Sequence, residues 1–124
     1  DKSFIVTYLI LKMRQVVLDT SFILTAVRQK IDFFEKLEHL GMKPVILDHV
    51  IDELMGLGAQ LALDIIEKHD YQYIKIPGKD ADSAIIAFAR KNPEAIVATL
   101  DAGLQKKVKN RKMIIRQMKK IEIV

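Results

Sequence analysis

Residues 16–24 read VVLDTSFIL. Two valines and a leucine form a short apolar run suited to a buried strand, and the run stops on a carboxylate, Asp19. Two hydroxyl residues and a second apolar run follow. Two readings of Asp19 compete. It caps the next helix, or it is a charge set at the rim of a sheet where a ligand can use it.

Outward from this stretch the pattern alternates. TSFILTAVRQ (20–29) and IDFFEKLEHLG (31–41) read as helices, the second with Ile31, Phe34, Leu37 and Leu40 at helical spacing and Gly41 as its stop. PVILD (44–48) is a second buried strand. HVIDELMGLG (49–58) and QLALDIIEKHD (60–70) are two more helices, and YQYIKI (71–76) is a third strand, ended by Pro77-Gly78. DADSAIIAFARKN (80–92) is a helix with Asp80 as its cap. AIVATLD (95–101) is a fourth strand ending in a carboxylate, GLQKKVKN (103–110) a short basic helix, RKMIIRQ (111–117) a fifth strand and KIEIV (120–124) a last short one. Strands alternating with helices predict an α/β fold, a three-layer α/β/α sandwich around a mainly parallel sheet.

The 124 residues suit a single domain, and half of them are apolar, so a core can form without staples. The absence of cysteine excludes disulfides and thiolate metal sites and makes a reducing, cytoplasmic home the natural expectation. No apolar run reaches membrane-spanning length. SFIVTYLILK (3–12) lacks a small-residue cleavage site and does not read as a signal peptide. Met13 stands just before the first motif. The domain is therefore expected over 13–124, with 1–12 an upstream extension, an extra edge strand or an artificial remnant.

Charge is uneven. Residues 105–120 carry eight Lys or Arg and no acid, within a chain of net charge +4, so the rest is net acidic. A basic stretch of this kind attracts phosphate backbones, or else is a solvated surface that keeps an edge soluble. Lys106, Lys107 and Lys109 fall on the predicted basic helix and Arg116 on the next strand, running toward the rim if the sheet is parallel there.

In α/β folds ligands collect outside the carboxyl ends of the strands. Asp19 and Asp101 close strands one and four, Glu53 lies a turn into the helix after strand two, and Asp82 lies in the first turn after strand three. Singly, each is better explained as a cap or a dipole partner, as Asp48, Asp80 and Asp101 also are. Four such acids at one rim repel one another, and hard divalent cations, Mg²⁺ or Mn²⁺, are the natural neutraliser. His39, His49 and His69 form no acid–base pair, and Met42, Met55, Met113 and Met118 read as packing.

VVLDTSFIL, VIDEL, DADSAIIAFA and VATLDAGL, in this order and spacing, resemble the PIN-domain nucleases over nearly the whole chain from Met13. The resemblance implies metal-dependent cleavage of single-stranded or structured RNA. It assigns catalytic roles to Asp19, Glu53, Asp82 and Asp101, metal binding to Asp19, Asp82 and Asp101, and support to Ser21 and Thr99. Many relatives have Asn where Leu100 stands. The tail KMIIRQMKKIEIV resembles the ribosomal-RNA-processing kind more than the toxin–antitoxin kind. Implied partners are RNA, a second copy of the chain, and a protein, either an antitoxin or a ribosome-assembly factor.

Two rivals share parts of this pattern. A phosphorelay receiver needs an acidic pair after strand one and an aspartate ending strand three, whereas the chain offers a single Asp19 and IKIPG. A catalytically idle PIN-like module would keep the fold and bind RNA or protein without cleavage.

Overall fold

The computed structural model describes residues 2–5 and 13–124. Residues 2–5 are helical, and the rest of the stretch expected as an extension or edge strand lies outside the described residues. Three strands set the architecture: β1 (Gln15–Leu18), β2 (Lys43–Leu47) and β4 (Ile96–Ala98). Val16, Val17 and Leu18, like Val45, Ile46 and Leu47 and like Ile96, Val97 and Ala98, are all fully buried. Successive side chains in a strand point to opposite faces, so burial without alternation means both faces of the sheet are covered. Helices supply the cover: α1 (Thr20–Arg28), α2 (Phe33–His39), α3 (Asp48–Gly56), α4 (Gln60–Glu67), α5 (Ala81–Lys91) and α6 (Ala102–Lys107).

With β3 (Gln72–Ile74), β5 (Lys112–Arg116) and β6 (Lys120–Ile123), the sheet runs β3-β2-β1-β4-β5-β6. β1 to β5 are parallel, and β6 returns antiparallel to β5 through a 3₁₀ turn at Gln117–Lys119. The first three strands step one way from β1. The chain then crosses back through α5 to place β4 on the other side of β1. Strand order therefore reverses between β1 and β4, which opens a crevice at their carboxyl ends. Asp19 N–H donates to Ala98 O at 2.9 Å across that junction.

β3 is shorter than the run 71–76 suggested and lies at the sheet edge, with Tyr73 exposed. α2 starts at Phe33 rather than Ile31, because the Asp32 carboxylate accepts from Glu35 N–H at 3.0 Å and fixes the first turn. Gly41 ends that helix region with φ +67°, a conformation glycine adopts without strain. At the opposite rim of the sheet Asn110 is buried, its Nδ2 within reach of Ala89 O, Asn92 O and Ala95 O at 3.2, 2.9 and 2.9 Å. It ties the end of α5 to the start of β4. Met113 is in the core and Met42 packs against it, but Met55 is exposed. The side chain of Met118 lies outside the described set. No helix among the described residues is long and apolar enough to cross a membrane.

Candidate active site

Asp19 occupies the N-cap position of α1, with extended backbone, yet its side chain makes no capping hydrogen bond. Its Oδ2 instead accepts from Ser21 Oγ at 2.9 Å and from Thr99 Oγ1 at 2.7 Å. Both hydroxyl protons are thereby spent, and the 3.3 Å approach of Ser21 Oγ to Thr99 Oγ1 is a contact between two donors aimed at the same oxygen. Each hydroxyl also accepts a backbone N–H, Leu100 N to Ser21 Oγ at 3.0 Å and Asp101 N to Thr99 Oγ1 at 3.1 Å. Two side chains thus lock the end of β1 to the residues following β4, and Asp19 is held, almost fully buried, at the β1/β4 crevice. Leu100 enters the network through its main chain.

Asp101 follows β4 and is exposed. Its Oδ1 caps α6 by accepting from Gly103 N at 2.8 Å and Leu104 N at 3.2 Å. Oδ2 makes no hydrogen bond among the described residues and is left for a ligand. Gln105, one turn further on, donates to Thr99 O at 2.8 Å; nothing in the sequence pattern marked it as a support.

Asp82 is half-buried in the first turn of α5. Burial pushes its carboxyl above the ordinary aspartate range, and the negative charges of Asp19, Asp101 and Asp80 push the same way; the Lys107 ammonium opposes them. The charges of Asp19 and Asp101 therefore both reach Asp82. Asp80 behaves as a cap, accepting from Ser83 N at 2.8 Å, and hydrogen bonds from Ser83 lower its carboxyl below the ordinary range.

The remaining expected residues are placed differently. Glu53 is exposed on α3, and its side chain makes no hydrogen bond or ion pair among the described residues. Asp48 is not a cap: its Oδ1 accepts from Ile76 N at 3.2 Å, while His49 Nε2 meets Ile76 O at 3.0 Å. The two latch the segment after β3 onto the start of α3. Lys106 and Lys107 lie on α6, but the helix ends at Lys107 and Val108 is extended, so Lys109 lies beyond it. β5 runs parallel to β4, as the Arg116 expectation required, but Arg116 Nε is paired with Glu122 Oε2 at 2.7 Å. His69 stacks on Phe34 at 4.3 Å, and His39 stands 4.0 Å from Glu35.

The donor set suits a hard cation. It is all oxygen, and the negative charges of Asp19, Asp101 and Asp80 add to burial in raising the Asp82 carboxyl. Among the described residues no group of three or more His, Asp or Glu side chains stands arranged to hold a metal ion.

Opposite shifts give opposite pH signatures. In the folded protein Asp82 binds its proton more tightly than in the unfolded chain, so its ionisation subtracts stability as pH rises. Asp82→Asn is expected to raise the melting temperature at pH 7 without divalent ions, with the gain gone below about pH 4. Asp80 contributes stability above its unfolded value, and that contribution is lost as pH falls through its lowered folded value. Asp80→Ala is expected to lower the melting temperature at pH 7 and to converge on the parent in acid. Melting curves from pH 2.5 to 7 check both, and a reversed pair of signs would exchange the roles assigned to the two residues.

Comparison with known proteins finds similarity at the level of family, sequence and structure. A family model described as a PIN like domain matches residues 16–120. The chain is 30% identical over 129 residues to Ribonuclease VapC4 of Methanocaldococcus jannaschii, an alignment spanning 90% of this chain and 97% of that protein. The fold matches the structure of the PIN domain endonuclease Utp24 with a TM-score of 0.78 and 28% identity, covering 88% of this chain and 90% of that one.

Proposed function

This chain belongs to the PIN-like domain family, and we propose that it is a divalent-metal-dependent ribonuclease acting at the β1/β4 crevice. One observation carries the reading. Asp19 sits where a helix cap belongs, but its carboxylate caps no helix N–H and instead accepts from two hydroxyls, which fix it where β1 meets the residues after β4. A capping role would need none of this network.

Asp19, Asp82 and Asp101 would hold Mg²⁺ or Mn²⁺ through their oxygens. When bound, the ion polarises a bridging phosphate oxygen and makes a neighbouring water more acidic. Ser21 and Thr99 keep Asp19 fixed, so little reorganisation is needed as substrate charge arrives. Asp82 would share the ion with Asp19 and Asp101 from the first turn of α5. Glu53 is assigned an outer position, orienting water from α3. No side-chain nucleophile takes part. The tail 112–124 favours the ribosomal-RNA-processing branch.

End-labelled single-stranded RNA incubated with Mg²⁺ or Mn²⁺, and in parallel with a chelator, tests this. Cleavage is expected with either ion and none with chelator. Binding without cleavage under all conditions would make the domain an RNA-binding module, and cleavage undiminished by chelator would remove the metal from the reading.

A further inference from the structure

Three carboxylates at the rim repel RNA, so the affinity that brings a phosphate there must come from cations nearby. On the flank where α5 ends and the chain leaves α6 lies a cavity of about 370 Å³, lined by Arg90, Pro93, Lys107, Lys109 and Asn110 among others, with no acid among its lining residues. Arg90, Lys107 and Lys109 are exposed and make no ion pair among the described residues. The floor is firm, because Asn110 is buried and bound to three main-chain carbonyls.

The cavity connects in two directions. Upward, Lys107 acts on Asp82, so one residue serves both the cavity and the acidic rim. Downward, Pro93 also lines a larger cavity of about 680 Å³ beside Lys43 and Lys91, where Arg14 and Glu94 pair at 3.5 Å and offset each other. From Asp82 to Arg90, α5 descends about 12 Å. Cationic side chains therefore line the α5/α6 flank from Lys107 toward the opposite end of the sheet.

We propose that single-stranded RNA engaged at the acidic rim leaves the site down this flank, with its phosphates against Lys107, Arg90 and Lys109. The inference rests on the ribonuclease reading and adds the direction and the contacts of the strand. It replaces Arg116, which Glu122 already neutralises, with Arg90, which the sequence pattern had not singled out.

The test is salt-dependent binding of fluorescently labelled single-stranded RNA in an Asp19→Asn background, which separates binding from turnover. The track variant is Arg90→Gln/Lys107→Gln/Lys109→Gln. The control removes equal charge around a different cavity, Lys36→Gln/Lys119→Gln/Lys120→Gln. Unchanged melting temperatures establish that both fold. At roughly 0.7 per phosphate contact, the track variant should flatten the log–log salt slope by about two and bind at least about tenfold more weakly at moderate salt. The control should leave the slope unchanged. An unchanged slope in the track variant, or equal changes in both variants, overturns the path. If the wild type cleaves RNA while the track slope is unchanged, the path is wrong and the ribonuclease reading stands. If the slope falls as expected but the wild type cleaves nothing, the path stands and that reading fails.

Discussion

Asp19→Asn is expected to abolish RNA cleavage while leaving the fold intact. The amide oxygen can occupy the position of Oδ2 and accept both the Ser21 and the Thr99 hydroxyls, so the junction between β1 and β4 survives. What is lost is a charge in a buried position at the crevice. Removing one preorganised electrostatic group from an active site typically costs about 10²–10³ in turnover, and a residue that also holds the metal should exceed this. Without divalent ions the melting temperature should be unchanged or slightly higher, since one carboxylate no longer repels Asp82. Mn²⁺ is expected to raise the melting temperature of the parent and to leave that of Asp19→Asn unchanged. Cleavage at the parental rate would remove Asp19 from the mechanism.

The second large effect is expected at a residue that touches no substrate. Thr99 is fully buried, donates to Asp19 Oδ2 and accepts from Asp101 N–H. Thr99→Val keeps the shape and removes both bonds. Asp101 N–H then has no partner, and the loss should be about 1–3 kcal/mol of stability. Cleavage should fall about 10–100-fold, the usual cost of removing a group that orients a metal-binding residue. Thr99→Ser restores the hydroxyl and should recover most of the activity. That rescue distinguishes positioning from packing, because Val fills the space better than Ser does. If Ser and Val variants were equally impaired, the hydroxyl would not be what matters.

The parts legible in the sequence are those that local chemistry determines. β1, β2 and β4 are apolar runs buried on both faces, and a central parallel strand has no other way to look. Asp80 was readable as a cap because capping involves residues within one turn. Asp48 carries the same local signature but spends its carboxylate on Ile76, which β3 delivers from 28 residues away. Asp19 shows the reverse case. Its position is that of a cap, and only the arrival of Thr99 from the end of β4, 80 residues on, takes its carboxylate away from capping. The order of motifs anticipated that meeting and residue periodicity could not. Lys109 was placed on a helix because a run of lysines carries no stop signal, whereas the extended backbone at Val108 ends α6. Arg116 was legible as a cation, but its partner on the antiparallel β6 was not.

The measurement closest to the central claim is anomalous diffraction from crystals soaked in Mn²⁺. The account predicts a peak at the β1/β4 crevice within coordinating distance of Asp19 and of at least one of Asp82 and Asp101, and its absence in Asp19→Asn crystals soaked in the same way. A peak elsewhere on the molecule with none at the crevice, at Mn²⁺ concentrations that support cleavage, would contradict it.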